Sequence, residues 1–185
     1  MKVDLIWVLL GALVVGFVVW RLSALAGRLD RLHHRIDLAN GSLDAQLLCR
    51  ARAAEALATS GLIDPGSAIV LSRAASNSRH ADPGDLVERG IIESEMSRDL
   101  REVLADPEDV AALRATPYGE ELVDDLARAC MQVSLARRFL NDGVSSVRLL
   151  RRQRLIRLFR LAGTASMPET FEMDDEPPAA LAGAA

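Results

Sequence analysis

The chain has 185 residues, half of them hydrophobic and only 4% aromatic, which leaves room for one modest, aliphatic domain beside any anchor. Its formal net charge of −4 excludes a general nucleic-acid binder, because no face carries enough cation to neutralise phosphates. Cys49 and Cys130, with no CxxC and no His at ligand spacing, exclude a zinc module and read as small buried hydrophobes in a reducing compartment.

Ala, Leu and Arg dominate, and β-branched runs are scarce beyond the amino-terminal stretch, so the composition favours helix almost throughout. Lys2 is the only lysine, which marks the arginine content as a compositional bias before it marks any recognition chemistry.

Residues 1–4 form a short terminus ahead of an apolar run at 5–24, long enough at ~1.5 Å per residue to cross the ~30 Å hydrocarbon core as a helix. Trp7 and Trp20 sit near its two ends, where amphipathic rings prefer the headgroup level. Arg21, Arg28, Arg31 and Arg35 follow it. By the positive-inside rule they place the terminus outside and the body in the cytoplasm of a single-pass cell-membrane protein. A cleaved signal peptide is the competing reading, since Ala24-Leu25-Ala26 before Gly27 has the small-x-small pattern. Arg21, inside that segment, and the weak basic character before it argue against cleavage.

Residues 25–163 read as a helical body. From Leu25, apolar positions recur at Leu29, Leu32, Ile36, Ala39, Leu43, Leu47, Ala51, Ala54 and Leu57, the three-and-four spacing of a coiled-coil stripe, with Arg50, Arg52 and other charges mostly off it. Gly61 ends that helix, and Gly41 is a candidate bend. Asp64-Pro65 starts a second helix, and Asp82-Pro83-Gly84 turns the chain into a third. The third is expected to pack Leu86, Ile91, Leu100, Val103 and Leu104, with Glu93 and its other acids mostly outward. Asp106-Pro107 opens a short helical turn, and Thr116-Pro117 opens the last long helix, whose stripe is Leu122, Leu126, Cys130, Val133, Arg137, Leu140, Val144 and Val147. That helix continues into an Arg- and Leu-rich end closed by Gly163. Residues 164–185 read as an acidic, Pro- and Ala-rich tail, largely disordered.

The expected fold is therefore all-α: one transmembrane helix followed by an up-down antiparallel bundle of about four helices. Such a bundle returns its last helix to the bilayer. Arg21, Arg28, Arg151, Arg152, Arg154, Arg157 and Arg160 would then lie near an anionic leaflet, each contributing about 1 kcal/mol. Asn141 and Asp142 interrupt a helix interior, where they would fix register or bond to a partner's backbone.

Two segments resemble the LemA family. Arg35-Ile36-Asp37 with Leu43-Asp44-Ala45-Gln46-Leu47, Arg50 and Arg52 is similar to that family's first soluble helix. Ala136-Arg137-Arg138-Phe139-Leu140-Asn141-Asp142-Gly143-Val144, with the later Phe171-Glu172, is similar to its arginine, aromatic and asparagine cluster. Leu140 stands where the family has Tyr, and Ala53-Ala54-Glu55-Ala56-Leu57 replaces a Pro-Asn-Leu-Val step, so the chain resembles a divergent, actinobacterial LemA-like membrane protein. The resemblance implies fold and topology and carries no catalytic residue.

Other chemistry is weak. His33 and His34 are adjacent on a helix and point about 100° apart, unsuited to one metal. Glu93, Arg101, Glu102 and Val103 resemble the centre of a diphosphate-hydrolase box, but Val87 stands where it needs Gly. No catalytic residue, metal site or cofactor is expected. The reading is a non-enzymatic scaffold whose partners are the lipid bilayer and an unidentified membrane or cytoplasmic protein, with homo-oligomerisation open and nucleic acid excluded. The alternatives are an accessory subunit of a membrane enzyme or envelope stress system and, third, a secreted helical protein.

Overall fold

The computed structural model describes residues 2–152 and 167–181, with side chains except at 2–6 and 8. Five helices and no strand occur among them: α1 Lys2–Thr59, α2 Pro65–His80, α3 Leu86–Val103, α4 Pro107–Arg114 and α5 Pro117–Arg151, with a 3-10 turn at Ala179–Leu181. The expected close at Gly163 and Arg154, Arg157 and Arg160 lie outside the described residues.

The boundaries follow from capping. Asp64 accepts from the N–H groups of Gly66 and Ser67 at 2.8 and 3.1 Å, Asp85 from Val87 and Glu88 at 3.1 and 2.9 Å, and Asp106 from Glu108 at 2.8 Å. Thr116 Oγ1 does the same for Gly119 at 3.1 Å. Pro65 and Pro107 sit in the first turns of their helices, where a missing N–H costs nothing. At the end of α1, Gly61 takes φ 74°, the left-handed conformation that Gly adopts most readily. α1 runs unbroken through Gly41.

The chain divides into two compact units. The first comprises Met1–Leu38 and Asp142–Glu169. Its start is the apolar part of α1, where an 18-residue stretch reaches a mean hydropathy of 2.1, long and apolar enough to span a membrane. Trp7, Leu13, Phe17 and Trp20 are 59–71% exposed there, and Phe17 and Trp20 touch one another with ring centroids 6.0 Å apart. From Leu25 the character changes. Leu25, Leu29 and Ile36 of α1 and Val144, Val147 and Leu150 of α5 are buried, a seam between antiparallel helices in which each such side chain contributes about 1.5–3 kcal/mol. The two helices pass close at Gly143, where a Cβ would lie 3.4 Å from Ile36 Cγ1.

The second unit comprises Ala39–Asn141 and Thr170–Ala185. Its core joins Ala51, Ala54 and Leu57 of α1, Leu71 and Ala75 of α2, Met96, Leu100 and Leu104 of α3, Val110 and Leu113 of α4, and Val123, Leu126 and Cys130 of α5. Alanines on the inner face of α1 let its neighbours approach closely. The turn from α4 into α5 is tighter still: a Cβ on Gly119 would overlap the Leu113 carbonyl oxygen.

Four expectations are corrected. Ile91, placed on the core stripe of α3, is exposed, while Glu93, placed outward, is buried; α3 turns Arg89, Glu93 and Ser97 inward because Asp44 and Arg50 of α1 supply polar partners for them. Cys49 is exposed, whereas Cys130 is buried as expected. The tail is packed where it is described: Phe171, Pro178 and Leu181 are buried, and Leu181 belongs to the core of the second unit.

Candidate functional site

Two polar assemblies stand out in the second unit, one enclosed by the helices and one binding the strap formed by residues 170–181. The enclosed one centres on Arg50 and Glu93, 2% and 0% exposed. Arg50 Nη2 donates to Glu93 Oε2 at 2.7 Å and to the Glu93 carbonyl at 3.2 Å, while Nη1 donates to Ser97 Oγ at 2.9 Å. The other carboxylate oxygen accepts from Ser78 Oγ at 2.7 Å. Three helices are thereby tied through one carboxylate. Burying two charges costs several kcal/mol each; the bonds to both Glu93 oxygens offset part of that cost, while Arg50 Nε finds no partner among the described residues. Both charges are buried away from solvent, so the pair specifies how α1, α2 and α3 meet.

The strap crosses α3 and α5. Phe171, 1% exposed, is its apolar anchor. Asn141 Nδ2 donates to the Phe171 carbonyl at 3.1 Å, and Asn141 Oδ1 accepts the Phe171 N–H at 2.9 Å. Beside this point Gly90 lies against the strap main chain, where a Cβ would overlap the Glu172 carbonyl oxygen. Ser94 Oγ accepts the Asp174 N–H at 2.9 Å. Arg101 forks onto both oxygens of Asp174 and donates to the Glu176 carbonyl at 2.8 Å. Arg137 donates from Nε and Nη2 to Asp175, both at 3.0 Å. Two bidentate guanidinium–carboxylate pairs thus read adjacent acids on the strap.

Electrostatics follows this geometry. The bond from Arg101 holds the Asp174 carboxyl below its ordinary range, and the same contact raises the Arg101 guanidinium. At Asp175 burial acts upward but is outweighed by bonds from Arg137 and Ser134, so it too titrates low. The Arg101–Asp174 pair is partly open to water and contributes little, about 0–1 kcal/mol; Phe171 and the Asn141 bonds carry more of the hold.

The residues singled out by sequence fall apart into these groupings. Asn141 bonds to the backbone of its own chain, whereas Asp142 is exposed. Arg21, Arg28 and Arg152 are exposed on the first unit, and Arg151 is half-buried with Nη1 4.0 Å from Met167 Sδ. Arg148 joins them, donating to the Pro168 carbonyl at 3.0 Å. Glu93 and Arg101 are committed to separate ion pairs and Glu102 is exposed, so the hydrolase-like quartet does not converge. Among the described residues no group of three or more His, Cys, Asp or Glu could hold a metal ion.

Sequence alone does not single out Arg50, Glu93, Arg101 and the strap acids as partners. The one usable signal is Arg137, a charge on an apolar stripe, which needs a carboxylate somewhere in the chain. No protein-family model, curated protein or solved structure matches this chain.

Proposed function

We propose that the chain is a non-enzymatic, single-pass membrane protein whose LemA-like helical body serves as an interaction scaffold on the cytoplasmic face. One observation carries the reading: α1 exposes Trp7, Leu13, Val15, Phe17 and Trp20, and then passes without a break into buried Leu25 and Leu29. Large apolar side chains on such a helix need a nonpolar solvent, and a bilayer supplies one over the right length.

Charge supports the orientation. Ile36 meets Gly143, so in an antiparallel pair Arg151, eight residues on at ~12 Å, draws level with Arg28, eight residues back. Arg21, Arg28, Arg151 and Arg152 then share the end of the body nearest the anchor, as an anionic cytoplasmic leaflet favours.

The test is thiol labelling in intact cells, with an intact-mass measurement of the amino terminus. Cys49 is exposed and serves as a native reporter. An impermeant maleimide that reaches Cys49 only after lysis, on an uncleaved chain, is the expected result. Labelling before lysis overturns the cytoplasmic placement, and a mass beginning at Gly27 identifies a secreted protein.

A further inference from the structure

The groove between α3 and α5 has the anatomy of a peptide-docking site. Its occupant, residues 170–181, has no helical or strand structure before the 3-10 turn at Ala179–Leu181. It is recognised as docked peptides are: a buried aromatic anchor at Phe171, main-chain bonds from Asn141 and Ser94, a glycine at 90 that lets the backbone come close, and arginine forks on successive carboxylates.

We propose that this groove is a binding site for an extended acidic segment of a partner protein, carrying an aromatic residue and, three positions later, two adjacent carboxylates, and that Phe171, Asp174 and Asp175 of the chain itself keep it closed in cis. The chemistry of the groove selects that occupant. Arg101 and Arg137 on its walls pair with carboxylates at adjacent positions, and Asn141 bonds the backbone of the aromatic residue. A trans ligand must displace a segment of the same chain, which competes as an intramolecular ligand. The site is therefore gated by competition. The inference rests on the scaffold reading and names the partner class for it.

The probe is a fluorescein-labelled peptide of residues 170–181, titrated against the full chain in lipid nanodiscs. The wild-type chain is compared with one carrying Phe171→Ala, Asp174→Asn and Asp175→Asn, which vacates the groove. At least about tenfold tighter binding to the variant chain, abolished when the peptide carries the same three substitutions, is the expected result. A variant of native helicity that does not bind, or equal binding by both chains, overturns the proposal.

If the variant loses its helicity, hydrogen exchange of the wild-type chain decides. Strap amides at Phe171 and Asp174 that open while α3 and α5 stay protected support the proposal; exchange only together with those helices overturns it. The two readings fail separately. Absent peptide binding with Cys49 shielded in intact cells leaves the scaffold and removes this groove, whereas binding with Cys49 labelled from outside keeps the groove and moves it across the membrane.

Discussion

Asn141 and Phe171 pair reciprocally across 30 positions of sequence, the amide of one matching the N–H and carbonyl of the other at 2.9 and 3.1 Å. A backbone segment in a strand finds such a match in a neighbouring strand; here one side chain supplies it. Replacing Asn141 by Leu removes both bonds and leaves two backbone groups unpaired, at about 1–3 kcal/mol. Exchange of the Phe171 amide is expected to accelerate by at least tenfold, with little change at Leu126.

Gly90→Ala tests the same region from the opposite wall. The added methyl overlaps the Glu172 carbonyl oxygen, which is backbone and cannot rotate away. Overpacking of this kind costs about 1–3 kcal/mol. Limited proteolysis is expected to cut near Glu172 in the variant under conditions that spare the wild type. Gly143→Ala, whose new methyl would sit 3.4 Å from flexible Ile36 Cγ1, should change the melting temperature far less.

The buried pair predicts non-additivity. Glu93→Ala strands the Arg50 charge and is expected to lose about 3–5 kcal/mol in chemical denaturation. Arg50→Met with Glu93→Leu removes both charges and should recover much of that loss, as replacing a buried ion pair by apolar side chains commonly does. A double-mutant cycle reads the coupling directly.

Acid should loosen the strap. Asp174 and Asp175 titrate below their ordinary range in the folded chain, so the unfolded state binds protons first as pH falls. Their contribution is complete above the unfolded value of about 4 and is lost as pH drops through the lower folded values. Fluorine NMR of fluorophenylalanine-labelled protein should show the Phe171 line moving toward its free position only below about pH 4. A shift near neutrality would contradict the two ion pairs as its cause.

The cysteines should separate kinetically. Cys49 is exposed, while Cys130 is buried, and burial raises its thiol above the usual range against an opposing pull from Arg50. A thiol-exchange assay is expected to show one fast phase, absent in Cys49→Ser, and a second that waits for denaturant.

Much of the architecture is legible in the sequence because it is written locally. Asp-Pro steps at 64 and 106 mark helix starts, and the three-and-four rhythm from Leu25 to Leu57 marks the inner face of α1; both rest on capping and periodicity, which need only neighbouring residues. Periodicity misplaces Glu93 because it rewards apolar residues, and a carboxylate is buried only when a distant arginine meets it. The strap is misplaced for a related reason. Its Pro, Ala and acidic composition matches that of disordered segments, and its order comes from Arg101, Arg137 and Asn141, which become its neighbours only after the helices pack.

The distance of 30 positions between Asn141 and Phe171 also sets an order of manufacture. At roughly 5–20 residues per second, a ribosome that has finished the Asn141 wall needs about 2–6 seconds more to supply Phe171. The anchor and both walls precede the strap from the translating ribosome. The strap is therefore the last part of the second unit to be made, and its bonds close only onto helices already synthesised.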